Sequence, residues 1–143
     1  VEAWPPRYTK MQLHLQSSEG MGDSEKILAF VDPRRLGKIQ LRADPMQEAP
    51  LSKLAFDPLE PEYTKERLVS QVTASSMPIK GLLLDQEKAV SGVGNWVADE
   101  VLYHASIHPA AVSKTLSETQ VDALHNALLY VLQTATAANA DSA

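Results

Sequence analysis

A chain of 143 residues, 44% hydrophobic and 22% charged, is long enough for one medium domain or pieces of two, and too apolar for a disordered protein. It has no cysteine, which excludes disulfides, thiolate metal sites and a cysteine nucleophile and fits a reducing compartment. The net charge of −5 counts against a nucleic-acid binder, but it is unevenly placed. Residues 1–42 carry seven Lys/Arg against five Asp/Glu and residues 43–143 six against thirteen, so a local basic face remains compatible with the total. The four histidines (His14, His104, His108, His125) fall on separate elements without ligand spacing, so no metal site is expected. No run of eighteen apolar residues occurs, so no membrane partner is expected. The opening "VEAWPPRYTK" lacks the layout of a signal peptide and a starting Met, and the chain stops at "NADSA" without a closing element. The expectation is an excised piece of something longer.

In chain order, residues 8–16 alternate apolar and polar at Met11, Leu13 and Leu15, predicting a half-buried strand. "SSEGMGDSE" (17–25) is a loop by composition, and "KILAFV" (26–31) a more fully buried strand. "DPRR" then turns the chain, and "LGKIQL" (36–41) resumes alternation at Ile39 and Leu41. Three strands joined by turns predict an antiparallel meander at the end of a larger sheet. Residues 43–62 hold four of the nine prolines and read as an extended linker. Beyond it the apolar period becomes helical. Helices are predicted over roughly 64–75 (Leu68, Val69, Val72), 79–87 (entered through Pro78), 96–105 (Val97, Val101, Leu102, Ala105) and 118–137 (Val121, Leu124, Leu128, Val131, Ala135). Ser117 and Gln120 form a capping box before the last of these.

"SGVGNWVADE" (91–100) raises a chemical question, because a tight turn needs only one glycine. Glycine lets the backbone take positive φ and lets a bulky ligand approach the main chain. With Asn95 expected at the N-cap, free N–H groups would point out from the helix end and attract phosphate. The Asn95 amide could add a contact that positions a duplex without reading its sequence. Taken alone, the same residues also fit an ordinary turn between helices with a plain cap.

The surrounding residues weigh on this choice. "MPIKGLLLDQEKAVSGVGNWVADEVLYHASIHP" resembles the helix-two-turn-helix module of formamidopyrimidine-DNA glycosylases, including their endonuclease VIII relatives. The family pattern is Ile-Lys-x-Leu-Leu-Leu-Asp-Gln, then Gly-Ile/Val-Gly-Asn, Ala-Asp-Glu and Ile-His-Pro. "WPPRYTK", "FVDPRRLGKIQL" and "PLSKLAFDPLEPE" also resemble that family, in the same order, and "GNWVADEVLY" and "NADS" look most like its plant and fungal branch. The resemblance implies an α+β fold: the end of an N-terminal β-sandwich lobe (1–43), a proline-rich linker (44–62) and a helix-two-turn-helix DNA-binding domain (63–143). It implies the DNA-binding portion of a base-excision-repair enzyme that removes oxidised purines such as 8-oxoguanine and formamidopyrimidines and nicks the abasic site by lyase chemistry. The implied partner is double-stranded DNA carrying oxidised bases or abasic sites, bound by a monomer; a nuclear location goes with the plant and fungal likeness. Such enzymes flip the target base and must fill the hole it leaves.

Carried over residue by residue, the resemblance makes Asn95 the phosphate-binding asparagine and Lys80 a phosphate-contacting lysine, with Gly92 and Gly94 shaping the turn. Without the family, Lys80 reads as a solubilising charge. "DPRRLG" matches the intercalation loop, giving Arg34 the contact to the orphaned base, while Arg35 reads as a surface charge. Leu36 stands where the family usually has Phe; leucine can wedge between bases but gives up the stacking face. Glu100 is expected to support the module by bonding backbone groups, and His108 to pack a turn. The family's nucleophile, an N-terminal proline followed by a catalytic glutamate, has no counterpart in these residues; Glu2 is not that glutamate. The zinc finger, or its metal-free substitute, would follow residue 143, so no cofactor is expected in this chain. On its own the chain is expected to be inactive as a glycosylase or lyase. The alternatives are a non-catalytic module of helix-hairpin-helix type, which also takes a phosphate at a Gly-x-Gly helix start, and a purely structural helical domain.

Overall fold

The computed structural model describes residues 3–15 and 26–140, which fall into two compact units, Val1–Arg42 and Ala43–Ala143. The predicted loop at 17–25 and the chain ends lie outside the described residues.

In the first unit, β1 (Thr9–Leu15) pairs antiparallel with β2 (Lys26–Val31), with Leu13 opposite Leu28. The register shifts between Thr9 and Met11, so Lys10 sits at a bulge, a local kink of the kind that re-aims a side chain. Both strands were expected to bury one face or more, but Leu13, Leu15, Leu28 and Phe30 are exposed among the described residues. Among the described residues the two strands have no second layer against which that face could pack.

The third predicted strand does not form: residues 36–41 have no regular structure. The cause lies in the turn before it. The Asp32 carboxylate accepts the Leu36 N–H at 3.2 Å and the Gly37 N–H at 3.1 Å, and Arg35 adopts a left-handed φ of 54°. These side-chain bonds capture the donors that a hairpin would give to a strand ladder. Leu36, Ile39 and Leu41 are consequently exposed.

In the second unit four helices appear: α1 (Lys65–Ala74), α2 (Ile79–Leu84), α3 (Asn95–His104) and α4 (Glu118–Ala137). Their period-3.6 stripes meet in one core, where Leu68, Val72, Ile79, Leu82, Leu83, Val101, Leu124 and Leu128 are fully buried. Each such aliphatic side chain contributes roughly 1.5–3 kcal/mol by leaving water. α4 opens with the predicted capping box: Ser117 Oγ accepts the Gln120 N–H and Gln120 Oε1 accepts the Ser117 N–H. Lys65 ties α1 to α4 through a 2.6 Å ion pair with Asp122.

α2 is shorter than predicted because Asp85 leaves the helix in extended conformation and starts a turn. Its carboxylate accepts the Glu87 N–H and pairs with the Lys88 ammonium at 3.0 Å, while its carbonyl accepts the Lys88 N–H. The proline-rich segment also folds onto the helices. Ala55 N–H donates to Gln86 O at 2.8 Å, Ser91 N–H donates to Phe56 O at 3.1 Å, and the Arg67 guanidinium lies 3.9 Å over the Phe56 ring. The turn before α3 is therefore braced from outside the helices.

Candidate nucleic-acid interface

The two glycines before α3 have different physical roles. Gly92 has φ +83°, a left-handed conformation that disfavours any side chain, and its N–H donates to Gln86 Oε1 at 2.8 Å. Gln86 Nε2 donates in turn to Leu84 O at 3.1 Å and Val93 O at 3.0 Å. One side chain thus pins the end of α2 to the turn that starts α3. Gly94 is in ordinary extended conformation (φ −96°, ψ −180°), and a Cβ placed there would meet nothing within 4 Å. Neither backbone strain nor packing within the described residues requires glycine at that position. What a Cβ would occupy is open space over the helix start.

Gly94, and not Asn95, is the N-cap of α3: its carbonyl accepts the Ala98 N–H at 2.9 Å, and no side chain caps the helix. Asn95 is the first helical residue. Gly94 can serve because an extended residue whose carbonyl closes the first turn fulfils the role without a side chain. The Asn95 amide is consequently exposed and spends no bond on capping. The N–H groups of the first turn have no acceptor within the helix, and the dipole makes that end partially positive.

Lys80, on α2, sits against α3, but it is not a free cation. Its Nζ lies 2.7 Å from Asp99 Oδ1, with 31% of the lysine side chain exposed. Asp99 follows Asn95 by one helical turn, so the pair tethers Lys80 to the face that carries the asparagine. Sequence reading missed Asp99, and the i,i+4 spacing from Asn95 was the available signal.

α2 is held from below by the turn after α3. Ile79 N–H donates to Ala111 O and Lys80 N–H to Pro109 O, while His108 Nδ1 accepts the Ala110 N–H at 3.2 Å. Ser113, fully buried, donates its hydroxyl to Met77 O at 2.8 Å and closes the same clamp. Glu100 departs from expectation. It is exposed and makes no hydrogen bond or ion pair with the described residues, because its position on α3 faces away from the buried Val97–Val101 stripe.

In the first unit, Arg34 and Leu36 project from the turn that Asp32 closes, and Leu36 is 70% exposed. Gly37 is required by close approach, since a Cβ there would come within 2.7 Å of the Phe30 ring. Lys10 and Arg35 line a groove of about 480 Å³ beside that turn, with Phe30 and Ile39 as its apolar part. The predicted residues thus divide between the units: Arg34 and Leu36 on one, Lys80, Gly92, Gly94 and Asn95 together on the other. No group of three or more His, Asp or Glu among the described residues is placed to hold a metal ion, and the chain has no cysteine to serve a thiolate finger. No helix among the described residues is long and apolar enough to cross a membrane.

Comparison with known proteins shows the family. The "Formamidopyrimidine-DNA glycosylase H2TH domain" family matches residues 54–143. The chain is 39% identical over 141 residues to a formamidopyrimidine-DNA glycosylase of Arabidopsis thaliana, covering 99% of this chain and 34% of that protein. It is 37% identical over 136 residues to one from Trichodesmium erythraeum, covering 90% and 45%. The crystal structure of the MutM (Fpg) protein of Thermus thermophilus superposes with a TM-score of 0.71 at 36% identity, over 78% of this chain and 42% of that one. A Lactococcus lactis Fpg in complex with FAPY-dG-containing DNA superposes with a TM-score of 0.55 at 32% identity, over 58% and 31%. The chain spans about a third to just under a half of the length of these relatives. By its matched domain, its relatives and its fold, the chain belongs to the formamidopyrimidine-DNA glycosylase family and carries that family's H2TH domain.

Proposed function

We propose that this chain is the duplex-gripping portion of a base-excision-repair glycosylase and AP lyase acting on oxidised purines in double-stranded DNA. The observation that carries the reading is the start of α3. Gly94 leaves open space over unpaired N–H groups, the Asn95 amide is exposed, and Lys80 is held alongside. A phosphate entering there gains backbone donors, a helix dipole and a nearby ammonium. In this reading Arg34 meets the orphaned base and Leu36 serves as the wedge that props the gap. Base removal requires an amine that is nucleophilic near neutral pH and can go on to an iminium that drives strand cleavage. We assign that chemistry to the part of such an enzyme that this chain does not span, so these residues alone bind duplex and leave it intact. One copy per duplex and a nuclear location are part of the proposal, the second resting on the plant relative.

The test pairs binding with trapping. Fluorescence anisotropy on duplex containing an abasic-site analogue is expected to show salt-dependent binding. Borohydride treatment on duplex carrying 8-oxoguanine opposite cytosine is expected to trap no adduct. Absence of any duplex binding would sink the grip, and a covalent adduct would sink the division of labour.

A further inference from the structure

The residues that lead toward α1 reach the turn before α3 from outside the helices. Ala55 N–H donates to Gln86 O at 2.8 Å, and Ser91 N–H donates to Phe56 O at 3.1 Å. The two bonds hold the turn at its entry and again just before Gly92. Asp57 bends the segment by accepting the Leu59 N–H at 2.9 Å. Its other carboxylate oxygen lies 3.7 Å from where a Cβ on Gly92 would stand, and the following Pro58 is buried. Residues 55–58 thus form a strap across the turn that presents Gly94 and Asn95.

One cation of α1 holds the strap. The Arg67 guanidinium lies 3.9 Å over the ring of Phe56, the residue whose carbonyl takes the Ser91 N–H. Arg67 takes part in no ion pair among the described residues, whereas Lys65, Lys80 and Lys88 are each paired with an aspartate. Phe56 is 41% exposed, so burial alone does not fix its ring. A guanidinium stacks well on an aromatic face, because its charge is spread over a plane and is weakly hydrated.

We propose that Arg67 is a positioning residue for the phosphate grip, acting through Phe56 and Ser91 on the start of α3. The inference rests on the reading of that helix start as a phosphate site. In it Arg67 touches no phosphate. The guanidinium sets the strap, the strap sets the turn, and the turn sets where the free N–H groups point. Coupling of this kind is reciprocal, so a phosphate at α3 also tightens the strap.

The experiment compares the parent chain with Arg67→Ala, Phe56→Leu and Lys65→Ala. Lys65→Ala removes the same charge from the same helix and breaks the pair with Asp122, so it controls for charge and stability. Anisotropy on abasic-analogue duplex is read where every chain is folded. Arg67→Ala and Phe56→Leu are expected to bind about fivefold more weakly, the scale of an exposed cation–π contact. Lys65→Ala is expected to bind like the parent. The salt slope of Arg67→Ala is expected to equal the parent's, whereas losing a phosphate-bound cation would flatten it by about 0.9. Exchange of the Ser91 amide hydrogen, read by NMR, should quicken in Arg67→Ala and slow in the parent when duplex is added.

A parent chain that binds no duplex would overturn the phosphate reading and this coupling with it. Parent binding matched by Arg67→Ala, or equal losses in Arg67→Ala and Lys65→Ala, would overturn the coupling alone. So would a flattened salt slope in Arg67→Ala, which would make Arg67 a phosphate contact, or a Ser91 exchange rate that ignores the substitution.

Discussion

Lys80 on α2 and Asp99 on α3 are joined by a 2.7 Å ion pair, so the lysine assigned to phosphate is already neutralised within the folded chain. A phosphate must share Lys80 with Asp99 or take it over. The Asp99→Asn variant is therefore expected to bind duplex more tightly while losing some stability. Each effect is on the order of 0.2–1 kcal/mol, because a partly exposed pair is weakened by solvent screening. Anisotropy titrations at fixed salt and urea melts check the two halves. Weaker duplex binding in Asp99→Asn would mean that the pair positions Lys80 and does not compete for it.

Gln86 acts at a distance from any ligand. Its side chain accepts from Gly92 and donates to Leu84 and Val93, so Gln86→Ala removes three hydrogen bonds at once. At about 1 kcal/mol for a typical bond, and less where water replaces the partner, a loss of about 2 kcal/mol of stability is expected. Duplex affinity should fall as well, since the turn that presents the α3 start loses its brace. Chemical denaturation and anisotropy on the same variant test both.

The two glycines should separate stability from binding. Gly92→Ala places a side chain at φ +83° and is expected to cost about 1–2 kcal/mol. Gly94→Ala meets no such strain and no contact. Its gain of roughly 0.4–1 kcal/mol from a less flexible unfolded chain is offset by the poorer capping of alanine, leaving stability nearly unchanged. Its duplex binding should nevertheless weaken, because the methyl group fills the space a phosphate would enter. Thermal melts and anisotropy together give the answer; a Gly94→Ala variant that binds normally would leave the second glycine unexplained.

The turn after α2 carries a pH signature. The Asp85 carboxyl is held below its ordinary value by the Lys88 ammonium and then by the Glu87 N–H. A depressed folded-state pKa means the stabilisation is complete above the unfolded value of about 4 and is lost as pH falls through the still lower folded value. The wild-type chain should thus be more stable than Asp85→Asn at neutral pH, and the gap should close on acidification below about 4. Urea melts at a series of pH values measure that gap.

The helical unit was legible because its signals are local and redundant. Leu68, Val72, Val101, Leu124 and Leu128 repeat at the helical period, and Ser117 with Gln120 marks the start of α4 within four residues. The third strand was not legible, because Ile39 and Leu41 alternate in the sequence whether or not a partner strand accepts them. Nothing in the period of those residues reveals that Asp32 would take the turn's N–H groups. The end of α2 was misread for a related reason, since Asp85 prefers to bond Glu87 and Lys88 and does not extend the helix. In the candidate site, Gly92, Gly94, Asn95 and Lys80 were singled out through motif and resemblance. Asp99 and Gln86 were missed because their roles depend on neighbours from another helix or across a turn. Glu100 was misassigned by supposing a burial that the α3 register does not give it.

If Lys80 and the start of α3 grip duplex phosphate, the salt dependence of binding must report it. Each phosphate neutralised by a cation contributes about 0.9 to the slope of log affinity against log salt on duplex DNA. The chain is expected to show a clear negative slope on abasic-analogue duplex, and Lys80→Ala to flatten it by about 0.9. Asn95→Ala should weaken binding by about 1 kcal/mol, or more against a charged phosphate, with the slope unchanged, because it removes a neutral donor. An affinity independent of salt, or a Lys80→Ala slope equal to that of the parent chain, would contradict the phosphate grip.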